Sequence, residues 1–473
     1  MADSLGKGTV YFMLVQVIFL ASGYVVHAGL GRILGPKLYG TFGVVIALVT
    51  VFNFLLTSGF PQAVSRYIAM RNESAAAVKK AAEKVVLPAA LAVFILYFLF
   101  AGAIASLLGD TGLTLYIRIS AFIIPAYAIF SLYTGFLNGL REYGKQAKSM
   151  LFYNVAKVAG VFALVLLGFS VSGALAGFAL APVVGFLVAR YYFRPPGDGG
   201  NFQASLLVRF AVPVVVYYVA LQVLISLDLF FVKRIIAGEA VGYYTAAANL
   251  AKIPYIVLSA LGAALFPAIA GVSHDAVQTR KYVKESMRYL LMLLLPGVAM
   301  LSATSQQLVT LLYSSRYLAA AEPMSILVAG LGFFTLFAIL TTVITASGRA
   351  KAAMVLAVAI LPIAFAANAL LIPMLGLKGA AIATSLTGMA GFFLAFAYMR
   401  SLGIAVFAPL SVAKIALGAL LTYAIALKLP QAPLLLPIEY AGIFGIYLLF
   451  LLAVREFGRE DAEVLGRIIA RGG

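Results

Sequence analysis

Fourteen apolar runs alternate with short polar breaks along the chain. They lie near residues 9 to 31, 39 to 60, 85 to 108, 115 to 140, 149 to 168, 173 to 193, 206 to 236, 241 to 270, 287 to 312, 320 to 346, 353 to 372, 378 to 399, 405 to 428 and 436 to 455. Each is close to the roughly 20 residues an α-helix needs to cross the hydrocarbon core of a bilayer. In lipid every backbone N–H and C=O must be satisfied within its own segment, so the pattern predicts an all-α polytopic membrane protein with about 14 transmembrane helices. The first run, after Lys7, is too long for the hydrophobic region of a signal peptide and reads as an uncleaved first helix.

The punctuation between runs repeats. Arg32-Ile33-Leu34 with Gly40 and Phe42 aligns with Arg234-Ile235-Ile236 with Gly242 and Tyr244 at an offset of 202, and Phe60-Pro61 aligns with Phe266-Pro267 at 206. Pro88 pairs with Pro296 at 208, and Gly173-Ala174 with Gly379-Ala380 at 206. A unit of six spans returns the chain to the side it started from, which predicts two parallel-repeat six-helix lobes. The expected organisation is an N-terminal lobe over 1–193, a Pro/Gly-rich cytoplasmic linker over 194–205, a C-terminal lobe over 206–399, and helices 13 and 14 with a short cytoplasmic tail over 400–473. The Arg/Lys-rich stretch 66 to 84 is expected as an amphipathic helix on the inner leaflet.

Composition excludes a soluble protein. Of 473 residues, 64% are hydrophobic and 11% charged, against about 25% charged in soluble domains. The formal charge of +18 is distributed unevenly. With both termini inside, 25 Lys and Arg face the inner side and 8 the outer, leaving Lys252 within a span. This bias places a multi-pass protein in the cell (cytoplasmic) membrane with cytoplasmic N- and C-termini, and assigns the basic charge to anionic membrane lipids and not to nucleic acid. The absence of cysteine removes disulfides, thiolate catalysis and sulfur-ligated metals.

Catalytic and nucleotide motifs fail. Gly139-Leu140-Arg141-Glu142-Tyr143-Gly144-Lys145-Gln146 stops one residue short of a P-loop, with Gln146 where Mg²⁺ binding needs Ser or Thr, and no strand precedes it. His27 and His274 have no acidic cluster beside them, so no metal site or triad is expected. The chain is read as a non-enzyme without a bound cofactor, and any energy source is a gradient, with Na⁺ or H⁺ as coupling ion, or removal of its product.

Ionisable groups at bilayer depth cost at least about 2.5 to 3.5 kcal/mol and are functional candidates by default. Lys252 shares a helix face with Asn249 and Ser259, either lining a water-filled cavity or held in a structural pair. Asp228, close to Lys233 and Arg234, either takes a coupling ion or neutralises a neighbouring base. His27 lies on a stripe with Gln16 and Gly23, as a titrating group or a hydrogen-bonded packing residue. Asn53, and Asn154 with Lys157 at i and i+3, are further inward candidates. Arg66 and Arg141 stand at the cytoplasmic mouth, as ordinary positive-inside charge or as ligands for an anionic headgroup.

The stretch from Asp228 through Lys233-Arg234 and Gly242-Tyr243-Tyr244 to Ile253-Pro254 and Leu265-Phe266-Pro267 resembles the Wzx-type polysaccharide and O-antigen flippases. Gly59-Phe60-Pro61-Gln62 and Arg66 carry the same resemblance, which the span layout extends over essentially the whole chain. It implies the multidrug/oligosaccharidyl-lipid/polysaccharide (MOP) exporter superfamily, with V-shaped lobes that alternate access to a central cavity. It further implies a flippase that carries a polyprenyl-(di)phosphate-linked oligosaccharide from the inner to the outer leaflet and works beside a polysaccharide polymerase or glycosyltransferases. Lys252, Asn249, Asn53, His27, Asn154 and Lys157 would line the cavity. A cation-coupled multidrug (MATE-like) exporter is the alternative; it would need acidic and aromatic walls, and Asp228 is the one well-placed intramembrane acid.

Overall fold

A computed structural model describes residues 2–70, 74–196, 200–258, 269, 276–429, 433–458 and 461, without the side chains of 2–17 and 276. Ser259 and His274 lie outside the described residues. In chain order the helices are α1 (Ala2–Thr57), α2 (Phe60–Met70), α3 (Ala75–Leu99), α4 (Ala101–Leu107), α5 (Leu113–Ala121), α6 (Ile123–Gly139), α7 (Tyr143–Leu164) and α8 (Ser170–Tyr192). There follow α9 (Ala204–Ile235), α10 (Ala240–Ala251), α11 (Ala276–Ala303), α12 (Ser305–Tyr313), α13 (Ala321–Ala346), α14 (Ala350–Ser401), α15 (Pro409–Lys428) and α16 (Leu436–Ala453). No strand occurs among the described residues.

Ten stretches among the described residues are long and apolar enough to cross a membrane, against fourteen apolar runs. The difference has a physical cause: several runs are joined through one glycine. Gly35 (φ 74, ψ 171) interrupts α1, Gly376 (φ 61, ψ −137) interrupts α14, and Gly168 (φ 94) lies between α7 and α8. Each reverses the chain. His27 Nδ1 is 3.0 Å from Tyr39 Oη, although twelve residues of straight helix would hold their backbones about 18 Å apart. A Cβ built on Gly160 would lie 3.5 Å from the Cα of Gly177, so α7 and α8 pack antiparallel about Gly168. A Cβ on Gly379 would run into the carbonyl oxygen of Leu371, across the bend at Gly376. The eighth run, 241 to 270, is described only as α10 and helical residues 253–258.

Backbone breaks reproduce the repeat independently of side-chain identity. The left-handed positions Gly35, Gly109, Arg141 and Gly168 recur as Gly238, Ser314, Gly348 and Gly376, at offsets of 203, 205, 207 and 208. Tyr39 and Tyr244, 205 apart, are both fully buried.

The chain divides into two compact units, 1–226 and 227–471, and the division falls inside α9, later than the linker over 194–205. The start of α9 packs on the first unit. A Cβ on Gly59 would lie 2.5 Å from the carbonyl oxygen of Ala211, and Phe54 stacks on Tyr218 at 6.2 Å between ring centres. The stretch 66 to 84 is not one helix but the end of α2 and the start of α3, where Ala75, Val78 and Ala82 are buried against the unit.

Small residues set the helix spacing, as close backbone approach in lipid requires. A Cβ at Gly177 would sit 2.5 Å from the backbone nitrogen of Val161 and 2.7 Å from its Cα, contacts only a helix shift can relieve. Gly177→Ala is expected to destabilise by about 1–3 kcal/mol. Gly23→Ala, where nothing lies within 4 Å, is expected to be neutral or stabilising. Thermal melts of the two purified variants check the contrast.

In the second unit the segment after α16 is clamped onto α11 and α15. Arg288 meets Glu456 (Nε–Oε1, 3.2 Å) and Asp461 (2.7 Å), Lys414 meets Glu456 at 3.5 Å, and Ser411 also bonds Glu456. Burial pushes the Asp461 carboxyl up, but the Tyr289 hydroxyl, the Gly458 N–H and Arg288 together hold it below the usual carboxylate range. A depressed folded-state value means the clamp is fully present above the ordinary Asp range and is lost as pH falls through the lowered value. Asp461→Asn is therefore expected to loosen the segment at neutral pH, read as faster tryptic cleavage after the exposed Arg455; unchanged cleavage would mean that the carboxylate is not what holds it.

Candidate functional site

Among the described residues Lys157 in the first unit and Asp228 in the second are the most deeply buried charged residues. In the first, α1 and α7 bring Phe19, Ser22, Tyr153, Asn154 and Lys157 together. Asn154 and Lys157 lie one turn apart on the same face of α7. Lys157 is 3% exposed, and its ammonium donates to Asn154 Oδ1 at 3.1 Å. Ser22 Oγ donates to the same oxygen at 2.8 Å, and Asn154 Nδ2 donates to the carbonyl of Met150 at 2.8 Å, which fixes the amide. The ammonium also lies 5.0 Å from the ring centre of Phe19 and 5.3 Å from that of Tyr153. Tyr153 is itself wedged against Phe130 and Ala181.

No carboxylate is among the partners of Lys157 within the described residues. Taking an ammonium out of water costs several kcal/mol, whereas a charged hydrogen bond returns about 1.5–3 kcal/mol and each cation–π contact about 0.5–2 kcal/mol. Neutral partners therefore leave a buried positive centre whose field is not cancelled.

In the second unit, Asp228 on α9 is 2% exposed and accepts three hydrogen bonds: Tyr244 Oη at 2.6 Å and Thr384 Oγ1 at 2.8 Å on Oδ2, and the N–H of Leu229 at 2.7 Å on Oδ1. Its opposite charge is Lys252, half-buried just past α10 and electrostatically attracted to it. Lys233 and Arg234 are not among its partners. Five residues along a helix turn a side chain about 140° away, so Asp228 and Lys233 face different neighbours. Lys233 is buried and has contacts of its own, while Arg234 is exposed. Asn368 lies eight residues before Gly376 and Thr384 eight after it, level on the two legs of α14; Asn368 is 2% exposed and its Oδ1 has no hydrogen-bond partner.

The other sequence candidates stand separately. His27 bonds Tyr39 and lies 5.8 Å from the ring of Phe42, within the hairpin of α1. Asn53 is buried, its Oδ1 without a partner. Asn249 is half-buried on α10. Arg66 on α2 lies over the ring of Phe210 at 5.0 Å. Arg141 (φ 60) is exposed in the turn between α6 and α7, where Asn138 Nδ2 donates to Gln146 at 3.2 Å. This turn is the near-miss to a phosphate loop. No group of His, Asp and Glu able to hold a metal occurs among the described residues.

Ser22, Tyr153, Tyr244, Thr384 and Asn368 escape sequence reasoning, because neutral side chains in apolar helices carry no cost signal of their own. The sequence repeat sets Phe42 opposite Tyr244 and so hides the match of Tyr244 with the equally buried Tyr39.

Known proteins resemble the chain in both sequence and fold. A Shigella flexneri protein named for O-antigen transport is 25% identical over 374 residues, 76% of this chain and 88% of its own. The lipid II flippase MurJ in an inward closed conformation matches with a TM-score of 0.74 at 14% identity, over 94% of this chain and 99% of that one. An inward-facing MATE family multidrug resistance transporter of the MOP superfamily matches with a TM-score of 0.67 at 16% identity, over 83% and 97%. The chain shares the fold of these transporters, and its ten long apolar stretches among the described residues make it a multi-pass membrane protein. Residues 5–273, more than half the chain, match the family model described as polysaccharide biosynthesis protein, and the chain belongs to that family.

Proposed function

We propose that the chain is a flippase that carries a polyprenyl-(di)phosphate-linked oligosaccharide from the inner to the outer leaflet of the cytoplasmic membrane by alternating access. The observation that carries this reading is Lys157, buried among neutral partners in a family of polysaccharide biosynthesis proteins. A (di)phosphate supplies the anion that this centre lacks. Asn154 orients the ammonium, Phe19 and Tyr153 exclude water from it, and Arg66 and Arg141 attract the headgroup at the inner mouth. Leaving the prenyl tail in lipid avoids a penalty of about 0.8 kcal/mol for each CH₂ brought into a polar path. Both termini are cytoplasmic on the charge count, and the delivered glycan goes to a polymerase or glycosyltransferase.

The second reading, a MATE-like cation exporter, draws support from Asp228 as a buried acid. Its carboxylate is already engaged by Tyr244, Thr384, the Leu229 N–H and the charge of Lys252, which leaves little for an organic cation. A coupling Na⁺ or H⁺ is small enough to share it. The donors fit: carboxylate and hydroxyl oxygens, with the unpartnered amide oxygen of Asn368 on the same hairpin. Such a cation would weaken the hold of Asp228 on Lys252 and so tie the second unit to the gradient.

Proteoliposomes holding the purified protein test the reading. Inside-to-outside movement of a fluorescent prenyl-diphosphate oligosaccharide, without uptake or release of a lipophilic cationic dye, is expected. Movement of the dye alone would assign the chain to the exporters.

A further inference from the structure

The clamp at the end of the chain encloses more than its own ion pairs. A cavity of about 590 Å³ opens between the first turns of α11, the start of α15 and the segment after α16. Its floor is apolar, formed by Leu291, Phe407, Val412 and Ile415. Its rim is charged. Lys281, Lys284 and Arg288, spaced by three and four residues, share one face of α11, and Arg455 approaches from the other side.

The acidic groups of the rim are largely used up. Glu456 is held by Arg288, Lys414 and Ser411, and Asp461 by Arg288, Tyr289 and the Gly458 N–H. Among the described residues Lys281, Lys284 and Arg455 have no ion pair, and only the exposed Glu285 remains as an uncommitted acid. Arg455 also holds a left-handed backbone (φ 54) that L residues rarely adopt. Three cations without an ion pair among the described residues, above an apolar floor at the basic ends of membrane helices, form an amphipathic receptor. Basic pockets between transmembrane helices on the cytoplasmic side suit anionic lipid headgroups.

We propose that this cavity is a binding site for an anionic phospholipid of the inner leaflet, separate from the transported substrate. The phosphate lies among Lys281, Lys284 and Arg455, and an acyl chain runs over Phe407, Val412 and Ile415. A free phosphate would satisfy the cations but leave the apolar floor wet. One lipid there touches α11, α15 and the terminal segment at once, so it fastens α15 and that segment to α11.

Native mass spectrometry of the full-length protein with phosphatidylglycerol, phosphatidylcholine or inorganic phosphate tests the proposal. At collision energies that strip annular lipid, one phosphatidylglycerol is expected to remain and no phosphatidylcholine. The triple variant Lys281→Ser, Lys284→Ser, Arg455→Ser should bind it roughly tenfold more weakly or worse. Val412→Trp, which fills the floor and leaves every charge in place, should lose it as well. Equal retention of the two lipids, or unchanged retention by both variants, would overturn the proposal. Displacement of the lipid by millimolar phosphate would overturn it too, by showing that the cations take a soluble anion.

Discussion

Lys157→Met is expected to abolish transport while leaving the protein as heat-stable as the wild type, or more so. Lys157 is 3% exposed, and among the described residues its ammonium meets Asn154, Phe19 and Tyr153 and no carboxylate. Methionine fills nearly the same volume without the desolvation cost, and replacing buried charge with a well-packed apolar side chain is often neutral or stabilising by about 1–4 kcal/mol. Loss of the anion's counter-charge should reduce substrate flipping in proteoliposomes by roughly a hundredfold, the effect of removing a charged contact worth about 3 kcal/mol. Lys157→Arg keeps the charge and should retain part of the activity. A lysine that served only the fold would give the opposite pattern, a lower melting temperature with transport intact.

The second large effect is expected at the buried acid. Asp228→Asn leaves an acceptor for Tyr244 or Thr384 but strands the charge of Lys252, and breaking a fully buried pair costs about 3–5 kcal/mol. Lys252 is half-buried, so about 2 kcal/mol is expected, with transport no longer responsive to a cation gradient. Lys252→Met strands Asp228 in turn and should also lower stability. The double variant should recover about 1 kcal/mol or more over the sum of the single changes, since members of one electrostatic network couple. Strict additivity in thermal melts would show that the two groups do not form a pair.

The sequence carried most of the architecture because lipid imposes it. Apolar runs must be helices, so the runs ending near residues 31, 168 and 372 were legible from hydropathy, whereas the left-handed Gly35, Gly168 and Gly376 that turn the chain there were found in the structure. Hidden from the sequence was how tight these reversals are, since a single φ > 0 glycine turns one helix into the next without inserting a loop. The start of α9 was misassigned for a related reason: Ala211 and Tyr218 look like any span, and only the close approach to Gly59 and Phe54 places them with the first unit.

Lys157, Lys252 and Asp228 were legible as candidates because charge in an apolar run is conspicuous. Asn154 and Lys157 were paired correctly by helix spacing. The partner of Asp228 was not, because Lys233 and Arg234 are near in sequence whereas Lys252 is reached through the return of the chain along α10. Thr384, 156 residues away, could not be found from spacing at all.

The most direct test is equilibrium binding to the purified protein, comparing a prenyl-diphosphate-linked oligosaccharide with a lipophilic cationic dye, in the wild type and in Lys157→Met. Binding of the anionic lipid that is lost in the variant, with no binding of the dye, is the expected result. Binding of the dye in preference to the lipid, unaffected by Lys157→Met and abolished by Asp228→Asn, would contradict the flippase assignment.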